Sequence, residues 1–167
     1  MASPGLLLLD ACVLIDLIEV DATVITSVIA ALGRVHVATT VLAEVEGLDL
    51  SAAVSLGIEV VDPSLAVVVE AAGRRGALSF QDRICLLLAA EHGWTCVSND
   101  GALRRECVAR GVPVMWGLEM LALVAERGQL SAAEAIAIAE GIAIRNPFIT
   151  RELVARFRLR VAASTSS

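Results

Sequence analysis

Short apolar segments alternate with helical segments along most of this chain, and this alternation limits its possible folds more than any other feature. Residues 6–9 are four leucines in a row, and the run stops at Asp10. Such a run is typical of a strand that is buried on both faces of a parallel sheet. Similar short strands are predicted at 35–38, 58–61, 95–98 and 112–115. The sequence therefore predicts an α/β fold with a mostly parallel central sheet of about five strands, flanked by helices.

The segments between these strands have helical character, and glycines mark several of their ends. Helices are predicted at 13–20, 23–32, 41–47, 65–74, 80–92, 102–110 and 118–127. The remainder opens with a capping box, Ser131-x-x-Glu134, turns at Asn146-Pro147 and continues as a helix after Thr150. We predict one domain over residues 5–127, a C-terminal helical extension of the same domain over 128–161, and a disordered tail over 162–167.

The composition indicates a well-packed protein with a further apolar surface. Of the 167 residues, 57% are hydrophobic, which is more than a single core of this size needs, so we predict a homodimer. The uncharged stretches are too short to span a bilayer, and no basic residue precedes the N-terminal leucines, so neither a membrane segment nor an export signal is predicted. Four cysteines without a Cys-x-x-Cys pair indicate reduced thiols and a cytoplasmic location.

Two aspartates directly follow predicted strands. Asp10 ends the first strand, and Asp100 lies in the turn after the strand at 95–98, just before another helix. Each could simply be a helix N-cap or a turn residue, which is a frequent role for aspartate. If both strands are parallel members of one sheet, right-handed crossovers bring their carboxyl ends to the same edge. Two neighbouring negative charges then repel each other unless a cation lies between them.

Two further acids are expected near this edge. Glu44 shares a predicted helix face with Val41 and Leu48, so it is expected to point inward, where a carboxylate needs a partner. The alternative is a short helix that ends in solvent. Asp82 follows Ser79 by three residues, which predicts a capping box at the start of a very apolar helix. Because that helix is expected to be buried, its acidic N-terminus should open on the same sheet edge.

Asp10, Glu44, Asp82 and Asp100 together predict a divalent-metal site, since hard carboxylate oxygens suit Mg²⁺ or Mn²⁺. Asp16 is a possible fifth acid, expected on a helix outside the metal ligands. The sequence has no glycine-rich phosphate loop and no Ser/His/Asp constellation. A phosphoacceptor domain of the response-regulator type would require a partner lysine, which the chain lacks. A haloacid-dehalogenase-like phosphatase would require a second aspartate at the position of Cys12.

These motifs resemble those of the PIN-domain nucleases, and especially the VapC-like toxins of toxin–antitoxin pairs. The resemblance covers residues 5–127 and is carried by four segments. They are residues 7–17 (Leu-Leu-Leu-Asp-Ala-Cys-Val-Leu-Ile-Asp-Leu), 41–45 (Val-Leu-Ala-Glu-Val), 78–82 (Leu-Ser-Phe-Gln-Asp) and 96–100 (Cys-Val-Ser-Asn-Asp). The resemblance implies a single PIN-like domain that acts as a Mg²⁺- or Mn²⁺-dependent endoribonuclease, with Asp10, Glu44, Asp82 and Asp100 around the metal.

The resemblance also implies RNA as substrate and a cognate antitoxin protein as partner. Ser98 and Asn99 are secondary candidates for orienting a water molecule, and Arg104 and Arg105 are candidate contacts to the RNA backbone, although solvated helix charges are the alternative for both arginines. The net charge of −6 and the absence of lysine count against strong autonomous RNA binding. The alternative function is therefore a PIN-like protein-binding or regulatory module with little or no nuclease activity.

Overall fold

The structure, a computed structural model, describes residues 5–73 and 76–164. Strands and helices alternate through the first two thirds of the chain, as the sequence predicts, and the remainder is helical. The elements are β1 (Leu7–Leu9), α1 (Ala11–Asp21), α2 (Val24–Leu32), β2 (Val35–Ala38), α3 (Thr39–Leu42), α4 (Leu50–Ser55), β3 (Glu59–Val61), α5 (Leu65–Gly73), α6 (Phe80–His92), β4 (Thr95–Val97), α7 (Gly101–Ala109), β5 (Val114–Met115), α8 (Gly117–Glu126), α9 (Ala132–Arg145) and α10 (Arg151–Ser164).

The five strands form one parallel sheet in the order β3-β2-β1-β4-β5. Strand β1 is central, and Leu7, Leu8 and Leu9 are all buried, which explains the unbroken apolar run in the sequence. The middle of helix α6, residues 84–89, is buried, and the helix packs against both β1 and β4. The predicted α/β architecture, with helices on both sides of a five-stranded sheet, is confirmed.

The strand order reverses direction between β1 and β4. From β1 the chain moves outward through β2 to β3, whereas β4 pairs on the opposite side of β1 and leads to β5. In parallel α/β sheets, ligands bind beyond the carboxyl ends of the strands at such a switch point. Leu9 pairs with Val97, so the residues that follow, Asp10 and Ser98, begin side by side at this position.

The prediction of a helix at 41–47 is wrong. Helix α3 ends at Leu42, and the amide groups of Glu44 and Val45 then bond the carbonyl oxygens three residues back, at 3.0 and 3.1 Å. This tighter turn changes the direction of every side chain that follows. Acidic residues at 44 and 46 also oppose the negative end of a helix dipole. Beyond the turn, Asp49 caps the short helix α4, which was not predicted.

The C-terminal helices pack on the rest of the domain: α9 contacts α1 and α8, and α10 contacts α8 and α9. Helix α10 continues through Ser164, so the predicted disorder does not begin at residue 162. Val161 is buried and the Ser164 hydroxyl donates to its carbonyl oxygen, which holds the last turn. Residues 165–167 lie outside the described part. Within the described ranges, no helix is both long and apolar enough to cross a membrane.

Candidate metal centre at the carboxyl-terminal sheet edge

Asp10 is the buried centre of the site. Its side chain is only 3% exposed. It caps α1, with Oδ1 accepting the Val13 amide at 2.8 Å, and Oδ2 accepts a very short hydrogen bond from the Ser98 hydroxyl. The carboxylate is therefore fixed from two directions: by its own helix and by the neighbouring strand end.

Ser98 links Asp10 to Asp100. The Ser98 hydroxyl is fully buried, donates to Asp10 and accepts the Asp100 amide at 3.0 Å. Asp100 in turn caps α7, with Oδ1 accepting the Leu103 amide at 2.7 Å. The two aspartates at adjacent strand ends thus lie on either side of one serine hydroxyl. Ser98 was predicted as a secondary candidate, and its place in the structure is between the two acids.

Asp82 approaches from the start of α6. It forms the predicted capping box with Ser79, in which Oδ2 accepts the Ser79 amide at 3.0 Å. Capping thus explains the local position of Asp10, Asp82 and Asp100, but it occupies one oxygen of each. Among the described residues, Asp82 Oδ1 and Asp100 Oδ2 have no hydrogen bond. Both oxygens remain available to a further ligand.

Asp82 and Asp100 are close enough to Asp10 for their charges to affect its pKa. Burial raises the pKa of Asp10 from 3.8 to about 6, the hydrogen bonds from Ser98 and Val13 oppose that rise, and the charges of Asp82 and Asp100 add to it. Cys12 lies on the exposed side of the first turn of α1, and its thiol is affected by the same charges. Partial burial and then the nearby acids, Asp10, Asp16, Asp82 and Asp100, raise the pKa of its thiol to about 11.

Glu44 does not point inward as predicted. It is exposed on the turn after α3, whereas the neighbouring Val41, Val45 and Leu48 are buried. The tight turn at residues 42–45 accounts for this, because it places Val45 rather than Glu44 on the inner side. The charge of Glu44 contributes to the raised pKa of the buried Cys85 thiol, as do the charges of Asp10 and Asp82. No hydrogen bond among the described residues joins Glu44 to the three aspartates.

The donor set fits a hard cation that keeps most of its water. Within the described residues, no three His, Cys, Asp or Glu side chains come close enough to form a ready-made metal cage. Mg²⁺ rarely uses such cages, because it binds through one or two carboxylates together with water and substrate phosphate. Two buried oxygens on elements that begin at this edge, Thr40 Oγ1 and Gln81 Oε1, also lack a hydrogen-bond partner among the described residues, which is consistent with a hydrated ligand.

Neither a protein-family model nor a curated protein sequence matches this chain. Among solved structures, the chain is similar to a PilT N-terminus (PIN) domain protein from the hyperthermophilic archaeon Sulfolobus solfataricus P2. The match has a TM-score of 0.53 and 14% identity, and it covers 71% of this chain and 92% of the other. The chain has a PIN-like fold. At this identity, the match shows the fold but not the chemistry of the site.

A second polar network in the PIN-like domain joins the C-terminal extension to the site. Asp16 is 7% exposed, and Asn146 Nδ2 donates to its Oδ2 at 2.9 Å. Asn99 Nδ2 lies 3.5 Å from the same oxygen, while Asn99 Oδ1 accepts the Gly117 amide at 2.9 Å. Burial raises the pKa of Asp16, and the two asparagines oppose that rise. Through these hydrogen bonds, Asp16 and Asn99 connect the loop after β4 to the start of α8 and the end of α9.

Asn146 was not predicted as part of this region. Its only sequence signal was the Asn146-Pro147 pair, which favours a turn. In the structure it ends α9, and its amide side chain reaches across 130 positions of sequence to Asp16.

The two candidate RNA-contacting arginines of the PIN-like domain lie on α7 but differ in their surroundings. Arg104 is partly buried, and its guanidinium lies 3.6 Å from the centre of the Trp116 ring. Arg105 is exposed and lines a cavity of about 380 Å³ with Arg83 and Arg110. Arg83 is engaged by the carbonyl oxygens of Ala71 and Leu78. Both arginines thus lie on the helix that Asp100 caps.

Proposed function

We propose that this chain is a metal-dependent endoribonuclease that hydrolyses RNA phosphodiester bonds. Asp10, Asp82 and Asp100 would hold Mg²⁺ or Mn²⁺, with Glu44 contributing either directly or through water. The observation that carries the proposal is the crowding at Asp10: a buried carboxylate faces two more carboxylates at the switch point of a parallel sheet. Such an arrangement is costly without a cation.

A divalent cation bound here would supply positive charge that polarises a phosphodiester and makes a water molecule more acidic. The protein's own groups would position that charge. Ser98 and the α1 cap hold Asp10 in one orientation, while Asp82 and Asp100 each keep one oxygen available beyond their caps. Arg105, exposed on the helix that Asp100 caps, would approach the backbone of the bound strand.

The same proposal extends to the biological setting. We infer a cytoplasmic toxin of a toxin–antitoxin pair that forms a homodimer, on the basis of the sequence resemblance and the apolar composition. Exposed apolar pairs one helical turn apart support docking to another protein: Leu50 and Val54 on α4, and Leu65 and Val69 on α5. These pairs also support the second candidate function, a PIN-like regulatory module that binds a partner and cleaves little or no RNA.

Cleavage of structured and unstructured RNA in EDTA, Mg²⁺ or Mn²⁺ tests the proposal. We expect cleavage only with a divalent cation, and we expect Asp10→Asn and Asp100→Asn to lower the rate by more than about 100-fold, since even supporting residues around metal ligands cost 10–100-fold. Asp49→Asn is the matched control, because Asp49 caps α4 in the same way, through the Ala52 amide, but is exposed. It should cleave at the wild-type rate.

Cleavage that persists in EDTA, or aspartate variants as active as wild type, would disprove the nuclease. A protein that shows no cleavage with either cation but forms a stable complex with a partner protein would instead favour the regulatory module.

A further inference from the structure

Asn146 connects the C-terminal extension to the loop that carries Asp100. It caps the end of α9, and its backbone amide donates to the Ile142 carbonyl oxygen at 2.8 Å. Both ends of its side-chain amide are held as well: Oδ1 accepts the Phe148 amide at 3.0 Å, and Nδ2 donates to Asp16 Oδ2 at 2.9 Å. Because the oxygen meets a donor and the nitrogen meets a carboxylate, only one orientation of this side chain satisfies both partners.

Asn99 makes the matching connection from the other side. It directly precedes Asp100, and its Oδ1 accepts the Gly117 amide at 2.9 Å. Its Nδ2 lies 3.5 Å from the same oxygen of Asp16 that Asn146 binds. Asp16 Oδ2 thus meets one amide from the loop after β4 and one from the end of α9. Since Asp16 is 7% exposed, these two donors take the place of water at that oxygen.

The two contacts to Asp16 are unequal in strength. The bond from Asn146, at 2.9 Å, has an ordinary length, whereas the contact from Asn99, at 3.5 Å, is at the long limit for a hydrogen bond. Loss of the Asn146 side chain would leave a buried carboxylate with one weak donor, which is unfavourable. We therefore expect Asp16 to move, either toward solvent or toward Asn99, and each movement changes the contact that holds Asn99.

A displaced Asn99 has little space that does not affect the acids. A Cβ at Gly117 would lie 3.2 Å from both Asn99 Oδ1 and Asn99 Nδ2, so this side chain packs directly on the start of α8. On the other side of Asn99 along the chain, the Ser98 hydroxyl donates to Asp10 and accepts the Asp100 amide. A shift of Asn99 would therefore change the positions of Ser98 and Asp100.

We propose that Asn146 is a positioning residue of the metal centre, which acts through Asp16 and Asn99 to hold the Asp100 loop in its metal-binding conformation. This inference rests on the proposed function and deepens it: the C-terminal extension takes part in cation binding although it supplies no ligand.

Electron paramagnetic resonance of free Mn²⁺ tests the inference, because it measures the affinity of the whole chain for the cation without any cleavage. Asn146→Ser should bind Mn²⁺ about tenfold more weakly, the lower end of the range for residues that support metal ligands. The serine hydroxyl can still accept the Phe148 amide and keep the turn, but it is too short to replace the donor to Asp16.

Arg145→Ala is the matched control. Arg145 precedes Asn146 and also joins α9 to α1, through Glu19 at 3.4 Å, but on the exposed surface rather than through Asp16. This variant should bind Mn²⁺ as wild type. An equal loss of affinity in Arg145→Ala and Asn146→Ser would mean that any weakening of the α9–α1 contact has this effect, and would overturn the inference.

A double variant separates positioning from general destabilisation. Asp16→Ala should itself weaken Mn²⁺ binding, and adding Asn146→Ser to it should cause no further loss, because the carboxylate that joins the two asparagines is already absent. Losses that multiply would overturn the inference. Unchanged affinity in Asn146→Ser, beside a loss in Asp100→Asn, would refute the inference and leave the nuclease proposal intact. A wild-type protein that binds no Mn²⁺ would refute both.

Discussion

Carboxylates at the two edges of the sheet have opposite electrostatic surroundings. At the amino-terminal edge, Glu59 begins β3 and is matched by positive partners. Arg34 Nε and Nη2 lie 2.6 and 2.7 Å from its two oxygens, and His36 Nε2 lies 3.2 Å from one of them. The hydrogen bond and charge of Arg34 lower the pKa of Glu59. At the carboxyl-terminal edge, burial and like charges raise the pKa of Asp10.

The amino-terminal edge is also closed by ring stacking. Trp94 lies between His36 and His92, with ring centres 4.0 and 4.2 Å away and planes within 14°. His36 Nδ1 lies 3.1 Å from the Leu7 carbonyl oxygen, so its ring also supports the central strand. Glu59, His36 and Trp94 thus each have a partner at this edge.

The difference shows what each edge contributes. The amino-terminal edge uses charge and stacking to stabilise the fold. The carboxyl-terminal edge keeps a buried acid among like charges, with Asp82 Oδ1 and Asp100 Oδ2 free of hydrogen bonds among the described residues. Such a destabilising arrangement is typical of functional sites, where a ligand supplies the missing partner. The comparison therefore predicts opposite responses to pH, cations and charge removal.

The largest effect is expected from the charge of Asp10. Because the folded pKa, about 6, exceeds the ordinary value of 3.8, the folded chain binds this proton more tightly than the unfolded chain. Stability should then fall as pH rises through that window. In EDTA, the free energy of unfolding should be about 1–2 kcal/mol higher at pH 5 than at pH 7.5. Urea unfolding at the two pH values measures it.

Asp10→Asn should remove most of this pH dependence, because the amide oxygen can still cap α1 while the charge is lost. Without metal, it should be more stable than wild type at pH 7.5, and Asp100→Asn should melt no lower than wild type. Asp16, whose pKa is also raised, accounts for the remaining slope. A wild-type protein that gains stability between pH 5 and pH 7.5 would contradict the crowding on which the metal centre depends.

A smaller effect is expected from the cation. Mg²⁺ at ten times its dissociation constant should stabilise the folded chain by about 1.4 kcal/mol. Thermal unfolding in EDTA and in a Mg²⁺ series measures this. Asp82→Asn should weaken the response, whereas Glu59→Gln, at the other edge, should leave it unchanged. Equal Mg²⁺ responses in Asp82→Asn and wild type would place the cation elsewhere on the molecule.

The sequence indicated the aspartates of the site because their positions follow from topology. Asp10 and Asp100 each come just after a short apolar strand, and parallel pairing of β1 with β4 is sufficient to bring them together. Asp82 was predictable from its capping box, which fixes the start of α6. In each case a local rule, combined with the handedness of strand crossovers, determined where the side chain lies.

The features that the sequence did not predict depend on turn geometry and tertiary packing, which local sequence patterns do not encode. The prediction that Glu44 points inward depended on a helix that continues past Leu42. A tight turn begins there instead and leaves Glu44 exposed. The hydrogen bond from Asn146 to Asp16 forms because α9 packs on α1. Gly141 and Val20 approach each other closely in the same interface, where a Cβ at residue 141 would lie 3.0 Å from Val20 Cγ1. Such contacts depend on how distant helices dock, which periodicity does not encode.

The smallest effect is expected at the amino-terminal edge and should have the opposite sign. Glu59→Gln removes a charge that Arg34 and His36 both face, so it should lower the melting temperature at neutral pH. The decrease should be slight and reduced by salt, because the pair with Arg34 is solvent-exposed. Since the pKa of Glu59 is lowered in the folded chain, the stability it provides is lost as pH falls through that value, and the variant should match wild type in acid.

Melting curves of both proteins across pH, at low and high salt, measure this. A Glu59→Gln variant that is more stable than wild type at neutral pH would mean that the two edges do not differ in the way their charges are balanced.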